Sequence, residues 1–165
     1  MKSNERAIFS EAVPQDIDLN EKEQLEFLKN AISSSRFYPF PAAQNPKYRY
    51  YSDNTYFNIT DSLSLFLILD RYKPKRIIEV GSGFSSACIL DTVEKHLRYI
   101  PHLTFIEPYA ERLRSLLSTQ DMNNCRLIEN IVQQVDKSAF QDLNENDILF
   151  IDSSHISKVG SDLNY

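Results

Sequence analysis

The sequence is poor in glycine and cysteine and has no tryptophan: 165 residues hold three glycines and two cysteines. Cys88 and Cys125 lie far apart and lack metal-ligand spacing, which excludes a cysteine metal cluster or a disulfide framework. Both fall in apolar segments and are expected as reduced, buried thiols. There is no long basic run and the net charge is −5, so nucleic acid is not an expected partner. The longest apolar stretch, Leu63 to Leu69, is too short to span a bilayer. The opening Met1-Lys2-Ser3-Asn4-Glu5-Arg6 lacks the apolar core of a signal peptide. A soluble cytoplasmic protein with no membrane partner is the expectation.

Against that scarcity, two of the three glycines stand together in Arg76-Ile77-Ile78-Glu79-Val80-Gly81-Ser82-Gly83-Phe84-Ser85-Ser86. A short apolar run precedes the pair and a helix-like run, Ser85 to Leu97, follows it. Strand, tight turn and helix in that order form a cradle for a nucleotide-like ligand. Gly81 permits unusual backbone angles, and Gly83 lets a ligand approach the main chain.

The rest of the chain supplies a frame for this turn. Asn20 and Glu23 read as a capping box opening a helix over 21–34, with Leu25, Leu28 and Ile32 on one face. Residues 36–58 carry Pro39, Pro41 and Pro46 among tyrosines and read as an ordered loop packed on the domain. A helix over 61–72 is apolar nearly all round and is expected to be buried on most sides; Pro74 ends it. Strands at 76–80, 103–107, 126–129 and 147–152 then alternate with helices at 85–97, 109–119 and 136–141. Such alternation predicts an α/β fold, an open parallel sheet with helices on both faces. Residues 1–58 read as an N-terminal helical, Tyr/Pro-rich extension and 59–165 as the ligand-binding domain. The strongly apolar fourth strand is expected to have a neighbour, either further chain beyond Tyr165 or a second copy of the protein in a homo-oligomer.

The turn fits three patterns unequally. A dinucleotide fingerprint needs Gly-x-Gly-x-x-Gly, but Ser86 stands at the third position. A hydrolase elbow needs Gly-x-Ser-x-Gly, but Gly83-Phe84-Ser85-Ser86-Ala87 ends in alanine. Ser85, Asp152 and His155 have the residue types of a triad without that elbow. Glu-x-Gly-x-Gly is matched in full by Glu79-Val80-Gly81-Ser82-Gly83. With Glu107 ending the second strand and Asp152 ending the fourth, the pattern resembles the class I S-adenosylmethionine-dependent methyltransferases from about Asp61 onward.

The resemblance implies a Rossmann-like fold, S-adenosylmethionine as cofactor and methyl transfer to a small-molecule acceptor. It places Glu79, Gly81, Ser82, Gly83 and Ser85 around the methionine end of the cofactor. Glu107, followed by Pro108, is implied to accept hydrogen bonds from the ribose diol; a helix-capping role for Glu107 is the alternative. In the segment Asn130 to Gln133, Val132 and Gln133 fall where the adenine is contacted, with Ile131 as another apolar candidate; ordinary loop packing is the alternative. Asp152 is implied at the cofactor edge, as an acceptor-side catalytic residue or a divalent-metal ligand, and His155 as a general base. The family's sheet has seven strands, so the fifth to seventh, with part of the acceptor side, are expected beyond Tyr165. A cofactor-binding module without catalysis, and more remotely a nicotinamide-dependent oxidoreductase, are the other readings.

Overall fold

The computed structural model describes residues 18–153. His155 and the segment beyond it lie outside the described residues. The chain divides into two compact units, Met1–Ser33 and Ser34–Tyr165. The first contains most of helix α1 (Glu21–Ser35), whose Leu25, Leu28 and Ile32 are exposed. Asn20, with φ 49°, donates its side-chain amide to the Glu23 carboxylate at 2.7 Å, so the expected pair meets through its side chains. The Tyr/Pro-rich segment 36–58, read as part of an extension, lies in the unit that holds the sheet.

Within that unit, α2 (Ile59–Tyr72) opens on a capping box: the Asn58 side chain accepts from the amides of Thr60 and Asp61, and the Asp61 carboxylate accepts from the Asn58 amide. Lys73, left-handed at φ 46°, closes the helix just before Pro74. Ser62, Leu65, Phe66 and Leu69 are buried, whereas Ile59 and Ile68 are exposed. The helix is therefore covered on one face, not most sides. Ile68 turns instead to an open cleft beside the last strand.

Strands β1 (Arg76–Val80), β2 (His102–Ile106), β3 (Cys125–Ile128) and β4 (Ile148–Ile151) make one four-stranded sheet in the order β3-β2-β1-β4, every pairing parallel. The connection from β3 back to the far side of β1 puts the switch point between β1 and β4, where open α/β sheets bind ligands at the carboxyl edge. The sheet face that carries Ile77, Leu103, Phe105 and Leu127 supports the larger core, with α2 and α3 (Phe84–Asp91) packed on it. The opposite face has a small cluster of Ile78, Val80, Ile106 and Val135, joined by Ala139 and Phe140 of α6 (Ser138–Gln141). On β4, Leu149 and Ile151 point to this second face and remain 44% and 50% exposed.

Two expected helices are broken. The one at 85–97 turns into a π-helix at Thr92–Leu97 and stops at left-handed Arg98. The one at 109–119 is two helices, α4 (Glu111–Leu116) and α5 (Thr119–Asn124). Leu117 is extended between them, and Ser118 starts α5 with a reciprocal capping box to Asp121. Cys88 is buried and Cys125 only half-buried; both are free.

Segment 36–58 is stitched to the sheet unit by aromatics and by one arginine. Tyr50 is fully buried, meets Phe40 edge-on at 5.0 Å, and donates its hydroxyl to the Phe57 carbonyl at 2.8 Å. Arg49 bonds Asp91 through Nη1 at 2.8 Å, Asp121 through Nε and Nη2 at 2.9 and 2.6 Å, and Glu94 through Nη2 at 2.7 Å. Burial raises the Asp91 pKa, against the pull of its backbone and Arg49 hydrogen bonds. Asp121 goes the other way: burial opposes ionisation, but Arg49 and Ser118 together bring it to about 2. The difference follows from depth and partners. The Asp91 side chain is sealed from solvent and receives one guanidinium N–H; the Asp121 side chain is 8% exposed and receives two.

Candidate functional site

The three acids named from the sequence come together at the carboxyl edge of the sheet. Gly81 N–H donates to the Ile106 carbonyl at 2.9 Å, Glu107 N–H to Ile128 at 3.1 Å and Asp152 N–H to Val80 at 2.9 Å. These bonds lay the glycine turn between the ends of β2 and β4. Glu107 and Asp152, expected as the last residues of their strands, stand one residue beyond them.

The two glycines of the turn do different jobs. Gly81 has φ +85°, and a side chain there would collide with the Asp152 carbonyl. Its lack of a Cβ lets the turn and the end of β4 meet. Gly83 has φ 172° and ψ −119°, and a Cβ there would stand 3.4 Å from Arg112 Cδ, an ordinary contact. No backbone atom crowds the side-chain position at 83, so the residue leaves open surface beside the turn.

Glu79 is fully buried on β1, on the face that meets α3. Its carboxylate accepts the hydroxyl of Ser86, which in turn accepts the Gly83 N–H at 3.0 Å. Burial pushes the Glu79 pKa up to about 7; the Ser85, Ser86 and Ser82 hydroxyls pull the other way, and Asp152 adds to the rise. Among the described residues Ser86 is the one of those hydroxyls that makes a well-formed bond, and Glu79 Oε1, Ser82 Oγ and Ser153 Oγ are buried without a hydrogen-bond partner. Unpaired buried polar atoms are rare in folded proteins. Three of them around one turn leave donor and acceptor positions there that no other described residue fills.

Glu107 joins both sequence readings. One carboxylate oxygen accepts the Ser82 N–H at 3.1 Å, which ties it to the turn; the other accepts the Tyr109 N–H at 2.8 Å, a local cap. Each oxygen keeps a second lone-pair direction for a ligand, and the side chain is only half-buried. Pro108 is exposed between them. Val132 lies in a single 3-10 turn (Val132–Gln134) and packs against the smaller core cluster, while Ile131 is 42% exposed. Gln133 is half-buried in the same turn. Ser85 is buried on α3. Ser86 carries a hydroxyl in the turn's hydrogen-bond chain where a dinucleotide fingerprint has a bare glycine.

Asp152 also borders a cleft of about 470 Å3 that runs between α2 and β4, with Leu65, Ile68 and Phe150 on its walls and Tyr56 at its rim. Among the described residues no group of three metal-ligating side chains occurs, so Asp152 has no ligand set around it there. No helix among the described residues is long and apolar enough to cross a membrane.

Residues 78–164 match the family described as a methyltransferase domain, more than half of the 165-residue chain. The chain belongs to this methyltransferase family. The chain is also 38% identical over 134 residues to a protein of Archaeoglobus fulgidus described as uncharacterized. That alignment takes in 79% of this chain and 59% of the relative, so the chain spans about three-fifths of the relative's length. No solved structure matches it. The Rossmann-like α/β fold and the family expected from Glu-x-Gly-x-Gly are both borne out. Sequence reasoning missed Arg112, which flanks the turn together with Tyr56; only its place in the fold brings it there.

Proposed function

We propose that this methyltransferase domain binds S-adenosylmethionine at the glycine turn and serves methyl transfer to a small-molecule acceptor. The observation that carries the reading is Glu79: among the described residues it is a fully buried carboxyl with one oxygen unpartnered, near the unpartnered hydroxyls of Ser82 and Ser153. An ammonium group supplies N–H donors and a positive charge to such a site, and a buried carboxylate is stabilised most by a cation in contact. The cofactor, when bound, supplies an electrophilic methyl group on a cationic sulfur.

The chain's own residues do the positioning. Glu107 accepts from a ribose diol with the lone pairs that the Ser82 and Tyr109 amides leave over. Gly83 lets the ligand lie against the main chain. Asp152, between the turn and the cleft, orients an acceptor hydroxyl or amine and takes its proton at a carboxylate oxygen. Holding the two reacting groups in line and away from water accounts for most of the acceleration in such displacements.

Calorimetric titration with S-adenosylhomocysteine and with NAD tests the cofactor. Binding of the first and not the second is expected. Glu107→Ala should weaken S-adenosylhomocysteine about tenfold or more, since a hydrogen bond to a charged group contributes about 1.5–3 kcal/mol. Binding of NAD alone refutes the cofactor; unchanged affinity in Glu107→Ala refutes the ribose contact.

A further inference from the structure

The acids at the glycine turn would repel any carboxylate brought among them, yet among the described residues a cation, Arg112, stands over the turn. Arg112, in the first turn of α4, lies across Gly83, with Cδ and Nη1 3.4 and 4.0 Å from where a Cβ on that residue would be. Its guanidinium carbon sits 3.8 Å from the centroid of the Tyr56 ring. That ring stacks on Phe84 at 5.8 Å and 12°. Phe84 is buried and follows Gly83 directly, so the stack is rooted in the turn. Among the described residues the Arg112 guanidinium pairs with no carboxylate; the Tyr56 ring is its recorded side-chain contact. Arg49 and Arg114, by contrast, each bind acids of this chain. A guanidinium held by its face on an aromatic ring keeps its N–H edge for a ligand, in the fork geometry that matches a carboxylate.

We propose that Arg112 binds the carboxylate of an α-amino-acid group at this site, with Tyr56 as the positioning residue that fixes the guanidinium over Gly83. The inference rests on the S-adenosylmethionine reading above, and divides the amino-acid end of that ligand between Glu79 for the ammonium and Arg112 for the carboxylate. Arg112 sets a positive charge opposite Glu79, Glu107 and Asp152, where the ligand's carboxylate would otherwise meet those acids.

The test is calorimetry on the full chain with two probes: S-adenosylhomocysteine, and S-adenosyl-3-thiopropylamine, the same thioether without its carboxyl group. Arg112→Ala should weaken the first about tenfold and leave the second unchanged, the size expected for one partly exposed charge-assisted pair. Arg112→Lys should restore part of the loss. Tyr56→Leu should weaken only the carboxylate-bearing probe, and by less. Equal loss for both probes, or no loss for either, overturns the proposal. Arg112 is exposed, so unchanged melting of the variant separates a binding defect from a folding one. A wild-type chain that binds neither probe defeats the cofactor reading itself and this inference with it; one that binds both, with no selective loss in Arg112→Ala, defeats this inference alone.

Discussion

Two clusters of acids in this protein are built to opposite plans. Around Arg49, the carboxylates of Asp91, Asp121 and Glu94 converge on one guanidinium from the chain itself. Around the glycine turn, Glu79 and Glu107 receive, among the described residues, only hydroxyl and backbone N–H donors, and buried oxygens are left over. The first cluster is complete within the fold and works as a clamp. The second is incomplete among the described residues, which is the property expected of a binding site. Acidic residues alone do not distinguish the two; whether the chain supplies the counter-charge does.

Removing the clamp's cation should show the larger effect. Arg49→Ala leaves Asp91 buried without its guanidinium and should lower stability by about 3–5 kcal/mol in urea unfolding. A loss below about 1 kcal/mol would mean the network is no more than a surface ion pair.

Glu79 offers the converse test. Burial pushes its pKa from an ordinary 4.5 up to about 7 in the folded state. Between those values the folded state holds a proton that the unfolded state has lost, so stability falls as pH rises through that window, by about 3 kcal/mol in all. Glu79→Gln should remove this slope. The variant should then melt higher than wild type at pH 8 and similarly at pH 4, while losing affinity for S-adenosylhomocysteine. Parallel melting-versus-pH curves would show that Glu79 is already compensated inside the chain.

The two glycines sharpen the contrast at a smaller scale. Gly81→Ala forces a side chain into the left-handed region and onto the Asp152 carbonyl, and should cost about 1–3 kcal/mol of stability. Gly83→Ala meets only an ordinary contact with Arg112. It should shift stability by about 0.5 kcal/mol or less and act instead on ligand affinity. Equal destabilisation by both would remove the distinction between a structural and a ligand-facing glycine.

The frame of this protein was legible because its signals are local. A five-residue apolar strand, a glycine pair and an acid at a strand end can be read within a few residues of one another, and β1, β2 and β4 fall within a residue of their expected limits. The split between α4 and α5 was also local: Ser118 and Asp121 form a capping box that the apolar pattern overshadowed. The burial of α2 was misjudged because an apolar sequence shows what a helix can bury, not how many neighbours it has.

The sequence by itself determined the alternation of strands and helices, the glycine turn and the identity of Glu79, Glu107 and Asp152 as its acids, since backbone geometry and side-chain periodicity are short-range. Only the tertiary structure decided which charges are paired. Arg49 meets Asp91 and Asp121 across 42 and 72 positions, and Tyr56 meets Arg112 from a different part of the chain. Electrostatic completion depends on distances of a few ångströms between residues remote in sequence, and folding alone sets those distances.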